Sequence, residues 1–142
     1  MIILGLNAHH ADASASLLID GKLVAAVEEE RFTRIKHYSG FPIHAVDYCL
    51  QQAGLSLNDI DHLVIGRDPN AKFKEKMTFF VKAPSQLLKK YFYDRFINVK
   101  DVKSIDKVLT AHFKCAKPKF IIHNIEHHRS HLASAFYPSP FN

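Results

Sequence analysis

The pair Asp20-Gly21 stands between two short apolar runs, and it constrains the fold of this chain more than any other feature. An Asp-Gly pair in that position is a strong signal for a two-residue β-hairpin, because both turn residues can adopt positive φ angles. The flanking runs, 15–20 and 22–27, therefore predict two antiparallel strands. A further apolar run at 2–7 predicts a strand before them. The chain is thus expected to open with three strands.

A helix and a fourth strand follow. Apolar residues recur at spacings of three and four from Ile43 to Ala53, which predicts a helix. Gly54 follows at the position that a helix C-cap prefers. The apolar run 62–66 then predicts a strand. The order strand, strand, strand, helix, strand predicts an α/β fold around a mixed sheet.

The second half of the chain differs in composition. Residues 71 to about 117 are rich in Phe, Tyr, Leu and Lys and show helical periodicity around 85–96 and 105–113. They are expected to form a helical insertion carried on the sheet. The run 119–123 predicts one more strand, and a helix is expected over 127–136. With 142 residues, the chain has room for one ordinary core.

Composition narrows the classes of function. The net charge is +5, and between residues 70 and 119 there are 13 Lys or Arg against 4 Asp or Glu. These bases are scattered and carry no nucleic-acid motif, so a solvated helical face is favoured over nucleic-acid binding. No apolar run is long enough to cross a membrane, and the first residues lack the basic region of a secretion signal. Cys49 and Cys115 lie far apart in apolar stretches, which favours free thiols in the cytoplasm.

Three segments carry groups suited to chemistry. The first is the sequence Glu126-His127-His128-Arg129-Ser130-His131, placed directly after a predicted strand. On a helix His127 and His131 share one face, so their imidazoles could share a metal ion. Spacing alone leaves open that they are surface or helix-capping histidines, and it names no third ligand.

The second segment is the turn after the first strand, from Asn7 to Ser16. Its small residues would let the backbone approach a ligand closely, and its histidines, Asp12 and Ser14 supply polar groups. The alternative is a small-residue strand that packs tightly against a helix. The glycine pattern of a nucleotide-binding loop is absent from this turn.

The third segment places three acids, Glu28 to Glu30, before the bases Arg31, Arg34 and Lys36. Such a run predicts an ion-paired turn or a clamp for phosphate or carboxylate, and solvated charges are the alternative.

Taken in order, these segments resemble one family. The motifs DASAxLLxDG, EEERFTRxKH and HHxxHxxSAFxxSPF resemble those of the O-carbamoyltransferases of antibiotic and nodulation-factor biosynthesis, such as the tobramycin and cephamycin carbamoyltransferases. The resemblance covers residues 3–66 and 119–142 and adds little for the basic middle. It implies a domain of the actin-like ATPase type, which is ribonuclease H-like and similar to the Kae1 tRNA-modification proteins.

The resemblance also implies a mechanism. In this family carbamoyl phosphate and ATP give carbamoyl-adenylate in a YrdC-like domain, and the carbamoyl group then passes to a hydroxyl of a small-molecule acceptor. A divalent metal, Fe(II) foremost, sits at the site of transfer. Carried over to this chain, the metal ligands are His127 and His131. The histidine that acts as acid or base falls near His10, although His9 precedes it and the family's spacing to Asp12 differs.

The same carry-over gives roles to two more residues. The resemblance implies that Asp12 is a catalytic residue of the first loop, and that Lys36 is both catalytic and cofactor-binding, near the phosphate of carbamoyl-adenylate. Further metal ligands, the phosphate loop and the YrdC-like domain would lie beyond Asn142. The chain is therefore expected to be the amino-terminal part of such an enzyme, inactive alone and prone to self-association through an exposed sheet face. The alternatives are a non-catalytic binding module or a Kae1-like role in tRNA threonylcarbamoylation.

Overall fold

The computed structural model describes residues 1–68, 105–115, 118–137 and 139–140. Within them one five-stranded mixed sheet has the order β3-β2-β1-β4-β5. Its strands are β1 Ile2–Asn7, β2 Ser14–Ile19, β3 Lys22–Glu28, β4 His62–Ile65 and β5 Ile121–Asn124. All five predicted strands are confirmed, and the last begins two residues later than its apolar run.

The predicted hairpin joins β2 to β3. Asp20 and Gly21 have φ angles of 50° and 78°, the left-handed values that a tight turn of this kind requires. Strands β1, β2 and β3 pair antiparallel, whereas β4 is parallel to β1 and β5 is parallel to β4. A sheet ordered 3-2-1-4-5 in which only the second strand runs against the others is the ribonuclease H-like arrangement. The predicted fold class, a mixed sheet of the ribonuclease H-like, actin-like type, is therefore confirmed by the topology. That these residues form the first half of such a domain stays a prediction.

Four α-helices accompany the sheet in the described residues: α1 Glu30–Thr33, α2 Ile43–Ala53, α3 Ile105–His112 and α4 His127–Phe136. A 3-10 turn spans Leu57–Asp59. Helices α2 and α4 have the predicted bounds, and α3 confirms the helical periodicity around 105–113. The rest of the predicted insertion, residues 71–104 and 116–117, lies outside the described residues. No helix in the described part of the chain is long and apolar enough to cross a membrane.

Both ends of α2 have a clear physical cause. Gly54 adopts a φ of 64°, and its N–H donates to the carbonyls of Gln51 and Leu50, which closes the helix. At the other end the carboxylate of Glu29, only 1% exposed, accepts hydrogen bonds from the first turn. Its Oε2 accepts from the N–H of Ala45 at 2.8 Å, and its Oε1 accepts from the N–H of His44 at 3.3 Å. The carboxylate of the residue that follows β3 thus caps a helix that begins fourteen residues later.

Alternation along the strands separates the two faces of the sheet. The strand residues that point to one face of the sheet are buried, and they are Leu4, Leu6, Ala15, Leu17, Leu63 and Ile65. Together with buried residues of α2 and α3 they form the core, and the helix residues are Val46, Cys49, Leu50, Ile105 and Leu109. Burial raises the pKa of the Cys49 thiol to about 11. Cys49 and Cys115 are both free, as predicted. The neighbouring residues along each strand point to the opposite face, which is left for a binding site.

Candidate functional site

A cleft of about 900 Å³ lies over that second face of the sheet. Its walls are the loop between β1 and β2 on one side and α4 on the other. Its floor consists of small residues from β1, β2 and β3 and from the position directly after β4: Gly5, Ser14, Ser16, Ala26 and Gly66. A Cβ at Gly5 would lie 2.8 Å from Ser16 Oγ, so a larger residue there would displace the floor of the cleft.

Three histidines meet in the cleft. His127 and His131 lie on one face of α4, as their spacing predicted, and their Nε2 atoms are 3.0 Å apart. The ring of His10, from the loop on the facing wall, has its centroid 5.2 Å from that of His127. The cleft is therefore lined by imidazoles from two segments that are far apart in sequence.

The structure separates His10 from His9. His10 is exposed and lines the cleft, whereas His9 packs against Phe41 with ring centroids 6.1 Å apart. The carbonyl of His9 also accepts a hydrogen bond from Arg67 at 2.9 Å. Of the two histidines that the sequence left open, His10 is therefore the one that lines the cleft.

The start of α4 is fixed by Glu126. Its Oε2 accepts a hydrogen bond from the N–H of Arg129 at 3.2 Å, and its Oε1 lies 2.8 Å from Nδ1 of His128. The hydrogen bond to His128 lowers the pKa of the Glu126 carboxyl to about 2, and the bond from Arg129 adds to the effect. Because Glu126 is only the second residue after β5, this cap fixes where α4 begins relative to the sheet, and His127 and His131 line the cleft from that helix.

The facing loop is held in an unusual backbone conformation. Both His9 and Asp12 have left-handed φ angles, 56° and 60°. The side-chain amide of Asn7 donates to the carbonyls of Ala11 and Asp12 at 3.1 and 2.9 Å. Non-glycine residues in this conformation are uncommon and concentrate at functional sites. The loop that carries His10 is therefore held by bonds that offset its own backbone strain.

Asp12 lines the cleft, but its partner is His37 rather than His10. Oδ1 of Asp12 lies 2.8 Å from Nδ1 of His37, and the two residues are 25 positions apart in sequence. The hydrogen bond and charge of Asp12 raise the pKa of the His37 imidazole, and Glu30 adds to that. Sequence reasoning missed His37 because no local spacing connects it to Asp12. Its position at the end of the acidic and basic run was the only signal.

The other predicted residue of that run, Lys36, is exposed and does not line the cleft. Two other members of the run do line it, namely Glu28 and Arg31, whose side chains pair at 3.3 Å. Glu29 is buried as the cap of α2. The run is thus divided between a structural carboxylate, an ion pair at the cleft and solvated bases.

The donor set on α4 fits part of a metal site. Two neighbouring ligands of an octahedral ion at about 2.1 Å lie roughly 3.0 Å apart, and the Nε2 atoms of His127 and His131 have that separation. Imidazole nitrogen suits Fe, Zn, Cu and Ni. The described part of the chain holds no group of three or more histidine, cysteine or carboxylate side chains placed to bind a metal. The pair could therefore supply two ligands and needs others.

Comparison with known proteins adds to this geometry. Residues 2–142 match the family model described as Carbamoyltransferase N-terminus. The uncharacterized protein sll1178 of Synechocystis sp. is 37% identical over 99% of this chain. The nodulation protein NolNO of Sinorhizobium fredii is 49% identical over 39% of this chain, and 8% of NolNO is covered. The match covers 24% of sll1178, so the chain spans about a quarter of that relative.

Among solved structures, YeaZ from Pseudomonas aeruginosa is similar with a TM-score of 0.45 and 12% sequence identity. The similarity covers 88% of this chain and 43% of YeaZ. The fold class itself follows from the strand order and directions of this chain's own sheet.

Proposed function

The chain belongs to the family of the carbamoyltransferase N-terminus, and from that premise we propose that it forms part of an enzyme that transfers a carbamoyl group to a hydroxyl of a small-molecule acceptor. The donor would be carbamoyl-adenylate, made from carbamoyl phosphate and ATP. The observation that carries the proposal is the meeting of His10 with His127 and His131 in one cleft. Such a cleft would offer a proton acceptor beside two groups able to bind a metal, which suits transfer to an unactivated hydroxyl.

His10 is the group proposed to take the proton. When the hydroxyl oxygen bonds to the carbamoyl carbon, the bond from that carbon to the phosphate oxygen breaks and AMP leaves with the electron pair. The hydroxyl proton must go to a base, and a neutral imidazole is suited to accept it near neutral pH. His10 is exposed in the cleft, so a substrate hydroxyl can reach it.

His127 and His131 are proposed to bind a divalent metal, Fe(II) foremost, through their Nε2 atoms. A bound divalent ion would supply positive charge where negative charge develops on the donor. The two imidazoles would hold the ion from one side of α4, because residues four apart share a helix face and their Nε2 atoms lie 3.0 Å apart. The remaining ligands would come from elsewhere in the complete protein.

Lys36 is proposed as an electrostatic partner for the phosphate of the donor. Its side chain is exposed and lies outside the cleft lining, so it would reach a donor that extends past the cleft. Replacing Lys36 with Ala should then raise the KM for the donor more than it lowers kcat, because a distant charge contributes to binding rather than to bond making.

The test is transfer of a labelled carbamoyl group by the complete protein, with ATP and carbamoyl phosphate, to a panel of polyhydroxylated small molecules. His10→Ala should lower kcat about 10²- to 10⁴-fold, the usual contribution of a positioned base. His127→Ala should lower both activity and bound Fe(II). The matched control is His112→Ala, because His112 on α3 pairs with Asp47 at 3.0 Å and does not line the cleft. Unchanged activity in His10→Ala and His127→Ala would refute the proposal.

A further inference from the structure

The Asp12–His37 pair has no role in the function proposed so far. His37 follows Lys36 on the segment between α1 and α2, and Nδ1 of its ring lies 2.8 Å from Oδ1 of Asp12. Asp12 is part of the cleft lining, whereas His37 lies outside it with 78% of its side chain exposed. The imidazole therefore reaches the cleft only through the aspartate.

Hydrogen bonds hold the backbone of both residues of the pair. The backbone of Asp12 is held by the amide of Asn7, and the N–H of His37 donates to Oε2 of Glu30 at 3.3 Å. Both residues have left-handed backbones, with φ angles of 60° at Asp12 and 55° at His37. The loop and the segment are joined next to the pair by the N–H of Ala13, which donates to the carbonyl of Tyr38 at 2.9 Å. Both side chains of the pair thus come from residues in an uncommon backbone conformation, and such residues cluster at functional sites.

The second oxygen of the carboxylate remains available. No described residue donates a hydrogen bond to Oδ2 of Asp12, while Oδ1 is occupied by His37. A carboxylate whose Oδ1 is bound by an imidazole keeps Oδ2 free to accept a further hydrogen bond. A substrate hydroxyl is a donor that such an oxygen can accept.

We propose that Asp12 binds the acceptor hydroxyl through Oδ2 and that His37 is the positioning residue that holds the carboxylate for it. This inference rests on the proposed function, because it assigns the hydroxyl-binding group of the same cleft. The charged groups that act on His37 are Asp12 from the loop and Glu30 from α1. Both favour the imidazolium, so the pKa of His37 is raised above its ordinary value.

A pH dependence follows from that direction. Below the raised pKa the imidazolium and the carboxylate form a charged pair, and as the pH rises through that pKa the charge on His37 is lost. The rate of transfer by the complete protein should therefore decrease as the pH rises through the pKa of His37. The His37→Gln variant can still donate a hydrogen bond to Asp12 but cannot titrate, so its rate profile should lack this alkaline limb.

The experiment measures kcat and KM for transfer against pH in the complete protein, with His37→Ala, His37→Gln, Asp12→Asn and the control His112→Ala. We expect His37→Ala to lower kcat/KM about 10- to 100-fold, as misplacement of a substrate-orienting group does, with His37→Gln between it and the unmodified protein. The control should keep full activity, since its exposed pair with Asp47 lies away from the cleft.

A second readout separates the two proposals. Histidine NMR titration should show a lower His37 pKa in Asp12→Asn than in the unmodified chain. If the unmodified protein transfers no carbamoyl group, the proposed function fails, and the positioning role falls with it even where the titration confirms the pair. If it is active and His37→Ala equals the control, only the positioning role is refuted. Equal loss in His37→Gln and His37→Ala, or an unaltered titration in Asp12→Asn, would also overturn that role.

Discussion

Removal of the Glu29 carboxylate should destabilise the whole domain, although the residue lies within a run of charges. Glu29 is 1% exposed and accepts from the N–H groups of His44 and Ala45 at 3.3 and 2.8 Å. Its Oε1 also lies 2.6 Å from Nδ1 of His44. In Glu29→Ala the first turn of α2 loses these acceptors, and solvent has little access to replace them.

The expected size follows from the groups left unpaired. A buried donor without a partner costs about 1–3 kcal/mol, and loss of a helix N-cap costs about 0.5–2 kcal/mol. The two buried or half-buried N–H groups at the start of α2 therefore place the loss at about 3 kcal/mol. For a domain of this size, each kcal/mol lowers Tm by roughly 3–5 °C, so Tm should fall by about 10 °C. Glu29→Gln keeps one oxygen acceptor and should lose about half as much.

Urea unfolding followed by far-ultraviolet circular dichroism measures this loss directly. The midpoint should move while the slope m stays constant, because the surface exposed on unfolding is unchanged. Glu28→Gln is the control, since Glu28 is the neighbouring residue and its side chain is 44% exposed. It should change stability by less than about 0.5 kcal/mol. A loss below about 1 kcal/mol in Glu29→Ala would refute the view that this carboxylate caps α2.

Three further predictions concern the core, α4 and the thiols. Leu63→Ala should cost about 2–5 kcal/mol in urea unfolding, because Leu63 is fully buried in the central part of the sheet; a cost under about 1 kcal/mol would contradict that packing. The Glu126 carboxyl has a pKa of about 2 in the folded chain, below its ordinary value of 4.5. The stabilisation that this cap gives α4 is therefore present above pH 4.5 and is lost as the pH falls towards 2. The amide signal of Arg129 should report that loss, and Glu126→Gln should show no such transition. At pH 8 a thiol reagent should modify Cys115 in the native protein but leave Cys49 unmodified until unfolding, because Cys49 is buried with a pKa of about 11; equal rates would be inconsistent with the core described.

The elements that the sequence predicted are those with local causes. The hairpin at Asp20-Gly21 depends on two adjacent residues that accept positive φ. Helix α2 ends at Gly54 because its periodicity stops there and a glycine follows. Helix α1 was not predicted, since its four residues, Glu30–Thr33, are too few to show a period.

The candidate site was only partly predictable. The relation between His127 and His131 is a property of one helix, so spacing alone predicted that they share a face. The family resemblance indicated the loop of His10 and Asp12 but left His9 and His10 undecided. The structure places His10 in the cleft and Lys36 outside its lining. It also shows two members of one charged run with opposite roles, Glu29 buried and Arg31 lining the cleft.

Sequence by itself therefore determined the strands, the main helices and the histidine pair, because each depends on dihedral preferences and periodicities within a few residues. Only the tertiary structure decided which groups meet across the chain. Asp12 contacts His37, which lies 25 residues later, and Glu29 contacts His44 in the first turn of α2, which lies 15 residues later. Both contacts arise because β2 pairs with β1 and β3 pairs with β2, so that the end of β1, the start of β2 and the end of β3 are neighbours. The loop between β1 and β2 therefore lies beside the segment that follows β3. Long-range contacts of this kind depend on sheet topology and packing, which local patterns do not encode.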